Sequence, residues 1–404
     1  MKTAYKILII VALLGVGGFA LFYLFNKVEV PIPVEEGVGV LFPGFREIPE
    51  KSSQPETGTS TESVVVSKLS DTPVFDFWIN RDTNEVYSIT NEGTVFVAKT
   101  GDDANLNTQP LDVLNSIVPN GKGNKVIASF GDPQRPRWGV FDVVDGFWKP
   151  LPDNISSLSW GADDDTLVGV SDDGTSNKLV LFDISKNPVR TTILEEDFRI
   201  KDVLFSWTEG DLFLIFEKPS SLVKGRVWEF NSKNKTLRTI ESGKNGLSLI
   251  FSPAGNYALQ FSNPNNLLVT DKKLEPVLPL FMTTLPEKCG FGEERLFCFV
   301  PQDADAFLKK TLPDDYLQKR VYSVDDLVAV EPESGESITL MESGTEEFDP
   351  YDGKHIQAVK GSVYFLNQYD NFVYEARIPE SFYTTRESAG PLERFDETNE
   401  PLPF

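Results

Sequence analysis

FWINRDTNEVYSI (residues 77–89), LSWGADDDTLVGV (158–170), FSWTEGDLFLIF (205–216) and FSPAGNYALQF (251–261) share one reading. Each is an apolar or aromatic strand end, a polar turn and a second apolar strand. Three further copies are IVPNGKGNKVIASF (117–130), CGFGEERLFCF (289–299) and FDPYDGKHIQAV (348–359). A repeat of roughly forty-odd residues with several short strands per unit is the signature of a β-propeller. Within a unit the strands alternate or run apolar, as in 85–89 and 94–98 joined by Thr90-Asn91-Glu92-Gly93. The turns carry Asn, Asp and Gly, which tolerate positive φ or bond their own backbone. The expected fold is all-β, a propeller of about seven four-stranded blades, since seven units of about 45 residues need roughly 315. Six or eight blades stay open, because the first and last units are the least regular.

Trp78, Trp160 and Trp207 fall at similar positions around the first turn of their units. Packing recurs in every blade whereas a ligand site rarely does, so these rings are expected to fill gaps between blades.

Residues 7–25 (ILIIVALLGVGGFALFYLF) are apolar and uncharged. As a helix they would rise about 28 Å, nearly the hydrocarbon thickness of a bilayer. Lys2 and Lys6 precede the run and Glu29, Glu35 and Glu36 follow it, which favours a cytoplasmic N terminus. The run ends in bulky Tyr23-Leu24-Phe25, unsuited to signal-peptide cleavage. Residues 46–62 are rich in Pro, Ser, Thr, Glu and Gly and read as a stalk. The organisation expected is an anchor at 1–28, a flexible stalk at 29–62, the propeller at 63–380, and a disordered, acidic, proline-containing tail at 381–404.

The 404-residue chain carries a formal net charge of −23. Residues 1–28 hold three lysines and no acid, leaving −26 on the rest. Such a domain is repelled by nucleic acid and anionic lipid headgroups.

The turns between the first two strands resemble those of the WD-repeat-like and TolB-like β-propeller superfamily, where Ser-Pro-Asp-Gly is common. The matching residues are Ser252-Pro253-Ala254-Gly255, Pro119-Asn120-Gly121 and Pro350-Tyr351-Asp352-Gly353. The Gly-His and Trp-Asp dipeptides of true WD repeats are missing. Unit six, with Pro286-Glu287-Lys288-Cys289, Leu296-Phe297-Cys298-Phe299-Val300-Pro301 and Leu312-Pro313-Asp314-Asp315-Tyr316, is similar to membrane-anchored bacterial propeller proteins. The resemblance implies fold and membrane attachment, and that family has no assigned activity.

Cys289 and Cys298, the two cysteines, flank one turn and so belong on adjacent antiparallel strands. Facing residues there sit about 4.5 Å apart at Cα, within disulfide reach. An extracytoplasmic domain would oxidise them. His355 is the sole histidine, no G-x-S-x-G elbow exists, and two cysteines without nearby His cannot complete a tetrahedral zinc site. The acidic runs 163–165, 172–173 and 314–315 match no calcium loop and read as solvated turns. No catalytic, cofactor-binding or metal-binding residue is expected.

The longest irregular stretch, 302–323 in unit six, places Phe307, Leu312 and Tyr316 beside Lys309, Lys310, Lys319 and Arg320 in an otherwise acidic domain. Long loops carrying aromatics often serve function. These seven residues are the expected partner surface, with the aromatics exposed. The functional reading is a single-pass membrane protein touching the bilayer through residues 7–25. Its propeller is extracytoplasmic and binds or scaffolds another envelope protein. A small-molecule or carbohydrate receptor at the central channel, and a propeller-type hydrolase or lyase, are the alternatives. No cofactor and no nucleic acid is expected.

The topology predicts that protease added to spheroplasts digests the domain while residues 1–25 stay with the membrane. Protection of the domain, or a mature chain starting beyond Phe25, would reject it.

Overall fold

The computed structural model describes residues 63–384 apart from positions 100, 102, 108, 173 and 254. The anchor expected at 7–25, the stalk at 29–62 and the tail beyond Thr384 lie outside the described residues. Among those described, seven antiparallel sheets of four strands each follow one another in chain order. Blades 1 to 6 occupy 76–105, 114–150, 155–195, 203–245, 248–280 and 289–341. Blade 7 takes its inner three strands from Gly353–Val359, Ser362–Asn367 and Val373–Arg377. Its outermost strand is Val65–Lys68, from the start of the described chain.

Alternation along a strand explains why the blades must stack. Val126 and Ala128 pack with blade 1, while Ile127 between them packs with blade 3. Leu296 and Cys298 face blade 5, whereas Phe297 and Phe299 face blade 7. The buried apolar residues divide into seven clusters, one at each blade-to-blade contact. Inner strands are therefore covered on both faces, as in Val86–Ile89, while the rim strand Arg190–Glu195 is largely exposed. Near the axis, inner strands converge too closely for side chains. A Cβ on Gly290 of blade 6 would collide with the Ile356 carbonyl of blade 7.

The tryptophans fill inter-blade gaps, but not identically. Trp78 packs toward the next blade, and its Nε1 donates to the Gly123 carbonyl of blade 2 at 3.1 Å. Trp160 packs toward the preceding blade and donates to the Val118 carbonyl at 2.7 Å. Trp207 also faces the preceding blade and donates within its own turn, to Gly210 at 2.9 Å. A one-residue offset at the strand end turns the ring to the opposite face.

Cys289 and Cys298 are directly paired across two strands, Cα atoms 4.1 Å apart, and form the disulfide expected. Pro350-Tyr351-Asp352-Gly353, read as a turn between first and second strands, instead leads into the first strand of blade 7. The turn itself is at Lys360-Gly361. At the C-terminal end, where a structureless tail was expected to begin, Ser381–Thr384 is a short helix. The Arg295 guanidinium lies 4.3 Å from the Phe382 ring centroid.

Strands alternate in direction, so first and third strands begin on one face, termed the upper face here. Val65–Lys68 runs antiparallel to Val373–Arg377, pairing Val65 with Arg377 and Lys68 with Tyr374. It thus begins on the lower face, where Val373–Arg377 ends. The pairing closes the ring, and Val64 is buried in the cluster between blades 6 and 7. A chain beginning at residue 71 should therefore melt at least about 5 °C below one beginning at residue 63. Equal melting temperatures would show that this strand does not close the ring.

Candidate functional site

The insertion 302–323 joins the second and third strands of blade 6 across the upper face. It folds into two short helical turns, Ala304–Leu308 and Asp314–Leu317. Asp303 caps the first by accepting from the Ala306 amide at 2.9 Å. The acidic pair 314–315 is not a merely solvated turn. Asp315 accepts from the Thr311 amide at 2.8 Å, and Asp314 accepts from the Ser221 amide in a loop of blade 4. The insertion therefore reaches across blade 5.

Its apolar residues are not where the sequence placed them. Phe307, Leu312 and Tyr316 are buried, packed with Cys289, Cys298 and residues of blade 5. Two helical turns set these three on the inner side. Exposed aromatics would have left the disulfide and the tops of blades 5 and 6 uncovered. Lys309, Lys310, Lys319 and Arg320 do face solvent.

Beneath Tyr316 lies a polar centre that sequence reading missed. Lys288, in the turn Pro286–Lys288 entering blade 6, has no solvent exposure. Its Nζ is 2.6 Å from Asp325 Oδ2, contacts Asp352 Oδ1, and lies 4.6 Å from the Tyr316 ring centroid. Asp325 opens the third strand of blade 6, and Asp352 precedes the first strand of blade 7. Further donors hold the carboxylates. The Ser323 amide (3.1 Å) and Gln368 Nε2 (3.4 Å) bond Asp352 Oδ2, and the Gly353 amide bonds Asp325 Oδ2 at 3.3 Å. The sequence signal was slight: an uninterrupted Glu-Lys before a cysteine strand, one aspartate opening a strand and another just ahead of a later strand.

One ammonium faces two carboxylates, so one negative charge is surplus. Burial pushes the Asp325 carboxyl up to about 7, against the attraction of Lys288. The Tyr316 hydroxyl is pushed up by burial and then by Asp352 and Asp325. Neither Asp325 Oδ1 nor the Tyr316 hydroxyl has a hydrogen-bond partner among the described residues. The polar collar continues along the starts of neighbouring inner strands. Ser248 Oγ donates to Glu287 Oε1 at 2.6 Å, and burial raises the Glu287 carboxyl. Burial, then nearby Lys319, lowers the Lys354 ammonium. His355 Nδ1 is 2.6 Å from Asp76 Oδ1. His355 adopts φ +52° and bonds no serine, threonine or cysteine among the described residues. Sealed from solvent, the Lys288 centre can hold the insertion in place, but no substrate reaches it unless the insertion moves.

At the lower face, a depression of about 480 Å³ at the channel mouth is lined by Arg81, Tyr257, Glu294, Arg295 and Lys360, among others. Among the described residues no three His, Cys, Asp or Glu side chains are placed to share a metal ion.

No family model matches the sequence, and no curated protein matches it. The fold is similar to the β-propeller domain of Cps50 (Swd1) from Myceliophteria thermophila, at 11% identity and TM-score 0.51. That alignment covers 78% of this chain and 100% of the other. It is similar also to an oligogalacturonate lyase solved in complex with manganese, at 11% identity and TM-score 0.50, over 79% of this chain and 92% of the lyase. At such identities the likeness is one of fold, that of a β-propeller.

A carboxyl whose pKa is raised on folding binds its proton more tightly in the folded state. The contribution of Asp325 is present in full below its unfolded pKa near 4 and is lost as pH rises through about 7. Unfolding measured between about pH 5 and 8 should show wild type gaining on Asp325→Asn as pH falls, by roughly 1 kcal/mol per unit. A difference independent of pH would mean that Asp325 stays ionised throughout.

Proposed function

We propose that the chain is a binding propeller, tethered to a membrane through residues 7–25 and exposed outside the cytoplasm, that takes a protein partner on its upper face. The disulfide supports an oxidising compartment. Both described ends of the propeller lie on the lower face, which supports a reading in which the upper face takes the partner.

The observation that carries this reading is the exposure of apolar side chains around the insertion. Phe281, between blades 5 and 6, is 98% exposed and Leu222 of blade 4 is 85% exposed. Val223 and Leu317 are exposed as well. The bond from the Ser221 amide to Asp314 makes the blade 4 loop and the insertion neighbours, so Leu222 and Leu317 belong to one surface. Exposed apolar groups gathered on one side of a domain mark an interaction site more often than scattered ones do. Lys309, Lys310, Lys319 and Arg320 border them, which suits a partner segment bearing an apolar anchor and acidic flanks. The buried Lys288 centre fixes the insertion, so this surface is preformed and binding orders little chain.

A small-molecule receptor at the lower channel mouth is the second reading. Arg81, Arg295 and Lys360 are among the residues that line the depression there. The lyase and the Cps50 domain share the fold alone and choose neither reading.

The test is photo-crosslinking from position 317 in the full chain in native membranes. Phe281→Ser with Leu222→Ser should cut the adduct at least about tenfold while leaving melting temperature unchanged. An undiminished adduct would move the contact elsewhere.

A further inference from the structure

Blades 6 and 7 meet at the upper face in a depression of about 460 Å³. Tyr351, Tyr369, Tyr374, Asp349 and Asp370 line it, with Pro350 and Val324 at the edges, and no lysine or arginine does. Three tyrosines and two carboxylates thus converge without a cation.

The aromatic wall is held in place. Tyr369 is about half exposed, and its ring stacks on Tyr322 of the insertion with centroids 5.8 Å apart and planes 19° from parallel. Tyr351 and Tyr374 meet edge to face at 5.2 Å and 67°. The Tyr374 hydroxyl donates to Asp370 Oδ2 at 2.7 Å, and the Phe372 amide donates to Asp370 Oδ1 at 3.0 Å. Asp370 is therefore fixed, half-buried, at the wall of the depression. Asp349 stands exposed at its rim.

The electrostatics agree with the geometry. Burial raises the Tyr351 hydroxyl to about 12, and Asp349 and Asp370 follow as causes. The depression is negative in its own right, within a domain already strongly acidic. Tyrosine faces attract cations through the ring quadrupole, and guanidinium combines stacking on a ring with a forked contact to carboxylate. Lysine can supply the charge but not the planar stack.

We infer that this depression receives an arginine side chain presented by a partner polypeptide. The inference goes beyond the proposed function and does not rest on it. It uses none of the exposed apolar residues around Phe281 and holds for any partner that offers a guanidinium.

N-acetyl-arginine amide is the probe, titrated against the full chain at low salt by calorimetry and saturation-transfer NMR. N-acetyl-citrulline amide is the uncharged isostere. The arginine probe should bind in about the millimolar range and the citrulline probe at least about tenfold more weakly. Tyr369→Ala and Asp349→Asn, both at exposed positions, should each weaken arginine binding several-fold, while Tyr369→Phe keeps it. Melting temperatures check that the variants are folded. Equal binding of the two probes would overturn the inference, as would binding unchanged in the Tyr369→Ala/Asp349→Asn double variant, which would be diffuse attraction to an acidic protein. Absence of arginine binding would overturn it too. Loss of the position 317 adduct in the Phe281→Ser/Leu222→Ser variant with arginine binding intact would leave this site standing and the insertion surface supported separately.

Discussion

A four-stranded sheet has two faces to cover and no means of covering either alone. In this chain the residues alternate so strictly that neighbours in one strand, Val126 and Ile127, belong to different interfaces. No blade is complete until both neighbours are present, and the end blades need each other. Closure falls to four residues, Val65–Lys68, hydrogen-bonded along the last strand. The closing pair is farthest apart in sequence and pays the largest loop entropy of any contact in the ring. It also fixes a polarity, because both described chain ends then leave on the lower face. The upper connections are free of that duty and can diverge.

Blade 6 uses that freedom at an energetic cost. Bringing Lys288, Asp325 and Asp352 out of water costs several kcal/mol per ion before attraction repays it, and three charges with two of one sign repay it poorly. The arrangement becomes intelligible through what it connects. Lys288 enters blade 6, Asp325 resumes it after the insertion, and Asp352 begins blade 7. One ammonium thus ties three backbone departures to each other. Tyr316 and Phe307 of the insertion close over it, 4.6 and 5.9 Å from the ammonium to ring centroid. An apolar plug could fill the same space but would fix the register of these segments less strictly. The surplus carboxylate is the residual cost, eased when Asp325 holds a proton.

How much of this was legible in the sequence follows the range of each interaction. The blade repeat rests on local alternation and turns such as Ser252-Pro253-Ala254-Gly255, so it could be read. The Cys289–Cys298 pair is nine residues apart and sits astride one turn, so its partner was fixed by the hairpin. The strand Val65–Lys68 has the apolar character of any strand and says nothing of a partner three hundred residues on. Pro350-Tyr351-Asp352-Gly353 carries turn residues, and a turn is found, but half a hairpin out of phase. Phe307, Leu312 and Tyr316 drew attention as aromatic and apolar residues in a long loop, and their direction was misjudged. Two helical turns of four or five residues are too short to show a period, so burial could be settled only by what lies beneath. The Lys288 centre joins positions 288, 325 and 352, each unremarkable in its local context, and no spacing rule links them.

The two polar surfaces of the upper face bear on each other. Around the insertion stand four exposed cations, while a short distance along the same face Asp349 and Asp370 frame a tyrosine-lined depression. Tyr322, at the end of the insertion, stacks on Tyr369 of blade 7, so the basic and acidic zones are joined through one aromatic pair. On a uniformly acidic domain a basic partner would be attracted in any orientation. A face with both signs at fixed positions instead favours a partner with the complementary order, acidic where the insertion lies and basic where blade 7 lies. Like-charge juxtaposition penalises the reversed arrangement, so orientation would come from charge and affinity from the apolar contacts. That division needs a rigid insertion, since cations on a mobile loop would adapt to either order. The buried Lys288 centre can supply that rigidity, because its ammonium ties the entry of blade 6 to the strand after the insertion and to blade 7, with Tyr316 of the insertion packed over it.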